Sequence, residues 1–407
     1  MTYRDQIKFS DIFVFKNGKK RPKNNGKYNV YGSSGLIGTS SEKNTEGSIS
    51  VIGRVGSKCG NVFFIKEPSY VSDNAIIAKT KKEYDSRYGY YLLKSKKLNR
   101  LSHGSGQPLI NQDILNSLDT PLLTRQEEIF CAETLSQLDQ KIELNQKKNE
   151  TLEEIGKTLF KSWFINFDPV RAKAEGKPTG LSKEISDLFP DSFEDSELGE
   201  IPKNYKVGKL EELAKYLNRG VSPSYVENNG VYLVNQKCIR NGKIDFNLCK
   251  QSKEKSSMND RYLEKYDILL NSMGVGTLGR VAMFYKFDKK ITADALVTII
   301  KGESVGSSFF IYYFLERMED YLNTISVGST GQTSLKKEDI LNLQVIIPPK
   351  NLLDEFGSQL SLFAKKKYLN NQENLTLRDL RDTLLPKLIS GDLKVSDAES
   401  LIGEASI

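Results

Sequence analysis

Apolar residues recur in steps of three and four along two long stretches of the chain, residues 125–167 and 348–393. This spacing is typical of a coiled-coil seam, where the apolar face of one helix packs against another helix. Each stretch predicts a helix of about 40 residues, roughly 60 Å long at 1.5 Å per residue. The seam positions include Leu135, Leu138, Ile142, Asn145, Asn149, Leu152 and Leu159 in the first helix, and Leu353, Phe356, Leu360, Phe363, Lys367, Asn370, Asn374, Leu377 and Leu384 in the second.

Shorter runs of β-branched and aromatic residues, bounded by Gly, Asn and Ser, lie before each long stretch and predict strands. These runs are residues 47–55, 61–68, 74–80 and 295–302, and helical spacing appears at residues 87–101 and 308–322. The predicted fold is α+β, with two mixed α/β domains separated by the long helices. The predicted segments are domains at 1–124 and 205–347, long helices at 125–167 and 348–393, a linker at 168–204 and a tail at 394–407.

The second half of the chain repeats the first. Gln107 in GSGQ matches Gln332 in GSTGQ at an offset of 225 residues (332 − 107), and Asn145 matches Asn370 at the same offset. This period is far longer than the ~20–50 residues of a solenoid repeat. The pattern therefore indicates one duplicated half-molecule and a pseudo-symmetric structure.

Neither half supplies a cover for its own long helix, so the two helices are predicted to pack against each other. Copies related by a pseudo-twofold axis pack antiparallel, and the linker is expected to run back along them. The offset then places these residues opposite one another: Asn145 and Asn374, Asn149 and Asn370, Leu135 and Leu384, Leu159 and Leu360. Buried Asn in a seam costs stability but fixes the register of the helices. The alternative is that these four Asn side chains are exposed.

The composition limits the partners and the kinds of site that the chain is expected to have. The chain has 59 Lys and Arg against 52 Asp and Glu, and its net charge of +7 favours anionic partners. The four cysteines form no C-x-x-C pair and His103 is the single histidine, so neither a metal site nor a disulfide framework is predicted. The first residues lack a secretory pattern and no apolar run reaches ~18 residues, which favours a cytoplasmic location and no membrane partner.

No catalytic motif is present in the sequence. Residues 274–279 read G-x-G-x-x-G, but the following RVAMFYKF alternates like a strand. A dinucleotide site needs a helix there, so these glycines are predicted to form a turn between strands. Walker, G-x-S-x-G, H-E-x-x-H and amino-methyltransferase motifs are also missing, so no catalytic residue is predicted.

Basic residues collect in glycine-rich turns at matching places in both domains. Arg and Lys neutralise phosphates, Arg also pairs with guanine, and Asn or Gln pairs with adenine. Taken singly, each charged residue among them is more typical of an ordinary surface, and it is the paired arrangement that favours DNA contact. The candidate DNA contacts are Lys19, Arg21, Arg54, Lys58, Asn61 and Gln107 in the first domain, and Asn235, Lys237, Arg240, Asn271, Arg280 and Gln332 in the second.

Five phrases resemble the specificity subunits of type I restriction–modification systems, and the match covers nearly the whole chain. They are LFKSWFINFDPVRAKAEGKPTG (159–180), LGEIPKNYKVGKLEEL (198–213), YGSSGLIG (31–38), GSGQPLINQDIL (104–115) and LLPKLISGDL (384–393). One departure is Tyr205, which stands where these subunits often carry Trp.

The resemblance implies two target-recognition domains, each reading one half of a bipartite, gapped site in double-stranded DNA. It implies two modification subunits that methylate adenine N6, and restriction subunits that use ATP. S-adenosylmethionine, ATP and Mg are then expected on those partners, with no cofactor and no catalysis in this chain. The helices are expected to space the domains and to dock the partners. The candidate docking residues are Ile129, Phe160, Trp163, Phe164, Leu385 and Ile389.

Four alternatives stay open at this stage. Trp163 and Phe164 are equally compatible with the core of the helix pair. The chain could be a scaffold that binds proteins and no DNA, or an enzyme that uses His103 beside Gln107. It could also be the recognition subunit of a type II system with a fused nuclease–methyltransferase partner.

Overall fold

The chain divides into two compact units. The structure is a computed structural model that describes residues 4–101, 108–274, 276–326 and 334–393. Unit 1 comprises residues 1–146 with 371–407, and unit 2 comprises residues 147–370. Each unit holds one mixed α/β domain, and each long helix contributes part of its length to both units.

The domain of unit 1 is built on a four-stranded antiparallel sheet with the order β2-β8-β5-β6. A second sheet has the order β4-β3-β7, with β3 parallel to β7, and β1 pairs with β9. The strands are β1 (Gln6–Lys8), β2 (Phe13–Asn17), β3 (Tyr28–Gly32), β4 (Gly35–Ser40), β5 (Ile49–Gly53), β6 (Val62–Ile65), β7 (Tyr70–Val71), β8 (Ala75–Thr80) and β9 (Asp119–Pro121). The short helices are α1 (Phe9–Ile12), α2 (Ser86–Ser95) and α3 (Gln112–Asn116).

Local sequence accounts for these elements. Strand β5 is buried along its whole length, because Ile52 packs into one apolar cluster while Ile49 and Val51 pack into another. Helix α2 begins after Asp85, whose side chain accepts hydrogen bonds from the backbone N–H groups of Arg87 and Tyr88. It ends at Ser95, earlier than predicted, and a 3₁₀ turn (Leu98–Leu101) follows.

The first long helix, α4 (Arg125–Phe164), begins at a capping box. The Thr124 hydroxyl accepts a hydrogen bond from the Glu127 N–H, and the Glu127 carboxylate accepts one from the Thr124 N–H at 2.8 Å. Arg4 pairs with the same carboxylate at 2.7 Å, and this pairing lowers the pKa of Glu127 to about 2. The start of the helix is therefore tied to the beginning of the chain.

The domain of unit 2 repeats this topology. Its main sheet has the order β13-β22-β19-β20, a second has the order β14-β18-β15-β21 with β15 parallel to β21, and β12 pairs with β23. The strands are β12 (Lys206–Lys209), β13 (Ala214–Arg219), β14 (Tyr225–Val226), β15 (Val231–Val234), β16 (Ile239–Arg240), β17 (Lys243–Ile244), β18 (Lys250–Ser252), β19 (Ile268–Asn271), β20 (Val281–Met283), β21 (Ile291–Ala293), β22 (Val297–Gly302) and β23 (Gln344–Ile347). The helices are α7 (Val305–Arg317), α8 (Glu319–Ile325), α9 (Lys337–Leu341) and the second long helix, α10 (Lys350–Ser390).

The predicted antiparallel packing of the long helices is confirmed within each unit. In unit 1, Asp139 pairs with Arg381 at 2.7 Å and Lys141 pairs with Glu373 at 3.1 Å. Residue numbers rise along α4 as they fall along α10, which defines antiparallel helices. In unit 2 the same order holds, because Asn149 and then Glu153 lie opposite Asn370 and then Lys367.

The linker does not run back along the helices, so this prediction is wrong. Residues 165–204 fold inside unit 2 as α5 (Asp168–Ala174), α6 (Lys183–Ser186) and a hairpin of β10 (Phe193–Ser196) with β11 (Gly199–Pro202). Phe167, Val170 and Phe189 are buried in the same core as Trp163. The linker stays there because these apolar side chains cover the end of α4, and its acidic residues, such as Glu194 and Asp195, stay exposed.

Candidate nucleic-acid interface

A glycine turn joins β5 to β6 in unit 1 and presents the first group of candidates. The Gly60 N–H donates to the Gly53 carbonyl at 2.8 Å and closes the turn. Gly60 has a φ of 83°, and a Cβ there would lie 2.2 Å from the Asn99 nitrogen, so only glycine fits. Lys58 and Asn61 are exposed on this turn.

Arg54 lies at the base of the same turn and is half-buried. Its backbone N–H donates to the Asn74 carbonyl at 2.9 Å, and its carbonyl accepts from the Ile110 N–H at 3.0 Å. Its Nε is buried and has no hydrogen-bond partner among the described residues. The backbone of Arg54 is thus fixed from two sides, and its buried Nε is a donor without a partner among the described residues.

Lys19 and Arg21 lie on the loop between β2 and β3, and both are exposed. The Lys19 N–H donates to the Val71 carbonyl at 3.0 Å, and Arg21 Nη1 donates to the Ile37 carbonyl at 3.2 Å. These bonds hold the basic loop against strands β4 and β7. Gln107 and Gln332, the predicted adenine contacts of the two domains, lie outside the described residues.

The equivalent turn of unit 2 joins β19 to β20, as predicted for the G-x-G-x-x-G segment. The structure contradicts one candidate there. Asn271 is fully buried, and its Nδ2 donates to the carbonyls of Gln236 and Thr277 at 3.1 and 3.0 Å. Its side chain holds the turn to a neighbouring loop, so it cannot contact DNA. An Asn beside a glycine turn carries no signal in the sequence that separates these two roles.

Arg280 ends this turn and is half-buried. Its Nη2 donates to the Gly276 carbonyl at 2.6 Å, and its Nε lies 3.9 Å from a carboxylate oxygen of Glu319. Arg280 and Arg240 line one cleft of about 430 Å³ together with Lys157. The structure thus brings together two predicted contacts and adds a lysine of α4 that the sequence did not single out.

Acidic groups balance this arginine cleft. Glu316 and Glu319 line it as well, and Glu316 pairs with Lys157 at 3.0 Å. Burial raises the pKa of Glu316 despite this partner. Internal pairs therefore position Arg280 and Lys157, and an anion that enters has to compete with two carboxylates.

The remaining candidates of unit 2 divide by exposure. Lys237 is exposed, as is Arg240. Asn235 instead caps the short helix Gln236–Cys238, because its Oδ1 accepts from the Lys237 N–H at 2.9 Å, and its Nδ2 donates to the Leu248 carbonyl at 3.3 Å. Both functional atoms of Asn235 are engaged, so it orients Lys237.

Five of the six predicted docking residues are buried, which corrects that prediction. Phe160, Trp163 and Phe164 lie in the core of unit 2, and Leu385 and Ile389 lie in the core of unit 1. The ring centroid of Trp163 is 5.1 Å from that of Phe189, and Phe164 is 5.0 Å from Phe356, both edge-on. These side chains pack within their own units, and only Ile129, 38% exposed, lies at the surface.

The four seam asparagines form two pairs. In unit 1, Asn145 Nδ2 donates to Asn374 Oδ1 at 3.1 Å and to Glu373 at 2.8 Å. In unit 2, Asn370 Nδ2 donates to Asn149 Oδ1 at 2.8 Å. Asn145, Asn370 and Asn374 are buried and Asn149 is half-buried. The predicted opposite positions are therefore in contact in each unit.

Within the described ranges, the structure holds no group of three His, Cys, Asp or Glu residues placed to bind a metal. The four cysteines are free thiols, and His103 lies outside the described residues. No helix in the described part of the chain is long and apolar enough to cross a bilayer.

Comparison with known proteins gives consistent matches. The protein-family model described as the type I restriction modification DNA specificity domain matches residues 5–154 and 202–378 of this chain. The MjaIX specificity subunit of Methanocaldococcus jannaschii, a type I restriction enzyme subunit, is 29% identical over 325 residues, covering 77% of this chain and 70% of that protein. The HindI specificity subunit of Haemophilus influenzae is 25% identical over 329 residues, covering 70% of this chain and 71% of that protein.

A solved structure shows the same fold. The crystal structure of the type I S subunit from M. genitalium superposes with a TM-score of 0.60 at 17% identity, covering 95% of this chain and 96% of that one. The duplicated α/β architecture with long helices is therefore found in that solved structure as well.

Proposed function

The chain belongs to the type I restriction modification DNA specificity family, and from this we propose that its two domains each read one half of a bipartite, gapped DNA site. Members of the family are the non-catalytic specificity subunits of type I restriction–modification complexes. The matched relatives are type I subunits, so the type II alternative is not favoured.

The observation that carries the proposal is a similar turn in both domains. In each domain a glycine turn joins the corresponding two strands of the four-stranded sheet. An arginine lies at one end of each turn: Arg54 directly follows β5, and Arg280 directly precedes β20. Exposed basic residues surround each turn. Lys and Arg supply the phosphate contacts that orient a protein on DNA, and Arg can pair bidentately with guanine. Two such sites in one chain suit a target of two halves.

The helix pair is the proposed spacer between the halves. The interhelical hydrogen bonds of Asn145 with Asn374 and of Asn370 with Asn149 favour one register. A shifted register would bury these amides against apolar side chains, at a cost of about 1–3 kcal/mol for each unsatisfied group. We propose that this fixed register sets the gap between half-sites.

The proposed partners are two modification subunits, with restriction subunits joining them. We propose that S-adenosylmethionine, ATP and Mg act on those subunits, and the support for this is the non-catalytic character of the family. The proposed docking surface is revised to the exposed apolar side chains of the long helices, which are Ile129, Leu144 and Ile155 on α4 and Leu362, Leu369 and Leu375 on α10. The genomic DNA target makes the proposed location cytoplasmic.

The decisive experiment combines the full chain with modification subunits and S-adenosylmethionine. The complex is expected to methylate adenine N6 in both halves of one split sequence, mapped by sequencing methylated random DNA. The chain alone is expected to methylate and cleave nothing. Turnover by the isolated chain, or methylation of a continuous site, would contradict the proposal.

A second measurement separates DNA reading from a protein-binding scaffold. The complex is expected to bind duplex DNA with an affinity that falls steeply with salt, because phosphate contacts release counterions. Salt-independent retention, or none, would favour the scaffold. The Lys237→Gln variant, which loses one exposed basic residue, is expected to show a slope smaller by roughly 1.

A further inference from the structure

A second cleft in unit 2 has a chemistry that DNA reading does not use. It has a volume of about 440 Å³ and lies between the region around strand β20 and helix α10. Its lining is largely apolar and aromatic. Five lysines also line it, and none of its described lining residues is acidic. The lysines are Lys265, Lys286, Lys289, Lys290 and Lys365, and this region is called the lysine cleft below.

The lysine charges are available to a ligand. Lys286 pairs with Asp288 at 3.3 Å and Lys290 pairs with Glu254 at 2.6 Å, but the side chains of both pairs are more than half exposed. Exposed pairs of this kind contribute little, because water screens the attraction between the charges. Lys265, Lys289 and Lys365 form no ion pair with a carboxylate in the part of the chain that the structure describes. An anion entering the cleft therefore meets weak competition.

Aromatic rings are held in place beside these charges. Phe287 stacks on Phe246, outside the lining, with centroids 4.7 Å apart and 22° between planes. The Lys286 ammonium lies 5.4 Å from the ring centre of Tyr368, on α10. A cleft that offers rings and ammonium groups together suits a ligand that joins a planar group to several negative charges. Its volume lies within the usual range for small-molecule sites.

The first half of the chain provides an internal comparison. Asp139, Gln140 and Glu143 stand at the positions of Ala364, Lys365 and Tyr368, offset by 225 residues (364 − 139). They line a cleft of about 300 Å³ in unit 1, where two acids accompany Lys66 and Arg87. Of these two clefts, only the one in unit 2 has an excess of basic over acidic lining residues. A function that both halves share, such as reading a half-site or docking identical subunits, does not require this difference.

We propose that the lysine cleft binds a nucleoside polyphosphate. The base lies against the rings of Phe287 and Tyr368, and the phosphates contact the lysines on the rim. Lys365 reaches the phosphates from α10, opposite the lysines of the domain. None of the residues that line the cleft belongs to the turns that carry Arg54 and Arg280. Nucleotide binding can therefore be tested independently of the proposed DNA reading.

The test is a calorimetric titration of the full chain at physiological salt. ATP, adenosine and inorganic tripolyphosphate are titrated separately. ATP is expected to bind at one site per chain. Adenosine lacks the charges and tripolyphosphate lacks the ring, so each is expected to bind at least about tenfold more weakly. Equal binding of tripolyphosphate and ATP would show a general basic surface and overturn the proposal.

Matched variants locate the site. Lys365→Gln is expected to weaken ATP binding about tenfold. Lys366→Gln removes the same charge one residue away, at an exposed position outside the cleft, and is expected to change nothing. Tyr368→Leu is expected to bring the affinities for ATP and tripolyphosphate together. Circular dichroism checks that each variant is folded.

Two further outcomes would overturn the assignment. If K365Q and K366Q behave alike, ATP does not bind in the lysine cleft. If a 20-base-pair duplex displaces ATP from the wild-type chain, the lysines belong to the DNA interface. Retained ATP binding in the presence of that duplex supports a separate nucleotide site.

Discussion

Asn145 on α4 donates a hydrogen bond of 3.1 Å to Asn374 on α10, and both side chains are buried between the helices of unit 1. A polar pair in an apolar seam is stable only while each member meets its partner. The pair therefore couples the stability of the helices to their register.

The first prediction concerns this pair. Asn374→Leu removes the oxygen that accepts a hydrogen bond from the buried Asn145 amide. Because the amide then lacks this partner, the free energy of unfolding is expected to fall by about 1–3 kcal/mol. The N145L/N374L double variant is expected to lose less than the sum of the single variants, because two leucines pack in a seam. Urea unfolding measures all four proteins. Strict additivity would show that the two side chains are not coupled.

The second prediction concerns the spacing of the half-sites. Seven residues inserted into α4 after Gln146 and into α10 after Asn371 keep the heptad seam and lengthen both helices by roughly 10 Å. The gap in the methylated site is expected to grow by roughly three base pairs at ~3.4 Å each, with both half-sites unchanged. The same insertion in α4 alone is the control, and it is expected to abolish methylation because the seam no longer matches. If the gap is unchanged in the variant with both insertions, the proposal that the helices act as a spacer is wrong.

The third prediction separates the two domains. Arg280→Gln is expected to relax recognition at one half-site only, by roughly 1–3 kcal/mol if the guanidinium contacts guanine. Arg54→Gln is the matched variant and is expected to affect the other half-site only. Methylation mapping on randomised sites reads both. A uniform loss over all sequences, with a smaller salt slope, would instead assign the arginine to phosphate contact.

The fourth prediction distinguishes the core from the docking surface. Trp163→Ala is expected to cost about 3–5 kcal/mol of unfolding free energy, because the indole is buried among Phe189, Phe164 and Phe356. Ile129→Ser, at the exposed position, is expected to change stability by less than about 0.5 kcal/mol and to weaken binding of the modification subunits. Calorimetric unfolding and subunit titration measure the two effects. A stable W163A protein would contradict the burial of this residue.

The fifth prediction concerns pH. Burial raises the pKa of Asp267 to about 6, although Lys301 lies 3.6 Å away. The unfolded value is about 3.9, so the folded chain binds the proton more tightly. The contribution of Asp267 to stability is therefore greatest below pH 4 and falls as the pH rises from about 4 to 6. Asp267→Asn is expected to remove this slope, measured by urea unfolding at pH 4.5, 5.5 and 7. Parallel curves for both proteins would rule out the shift.

Elements governed by local spacing were predictable. The strands around residues 49–53 and 75–80, the turn at 274–279 and both long helices follow from periodicity and glycine placement, because these patterns act over a few residues. The contact of Asn145 with Asn374 also followed, since a duplicated helix packed antiparallel leaves one register that matches both seams.

Burial by distant residues was not predictable. Periodicity shows that Phe160, Trp163 and Phe164 share an apolar face, but not that Phe189, Phe310 and Phe356 cover it. For the same reason the sequence predicted Asn271 as a DNA contact, although its side-chain amide donates a hydrogen bond to the Gln236 carbonyl of a distant loop. The lysine cleft joins residues 265–290 to Lys365, which no spacing rule connects.

The amino-acid order alone established the duplication, the order of elements, the paired helices and the family, since each depends on patterns carried along the chain. Folding in three dimensions established which faces are covered, which basic groups share a cleft and where the linker lies. Such contacts depend on the free energy of bringing distant segments together, and a linear pattern does not record that energy.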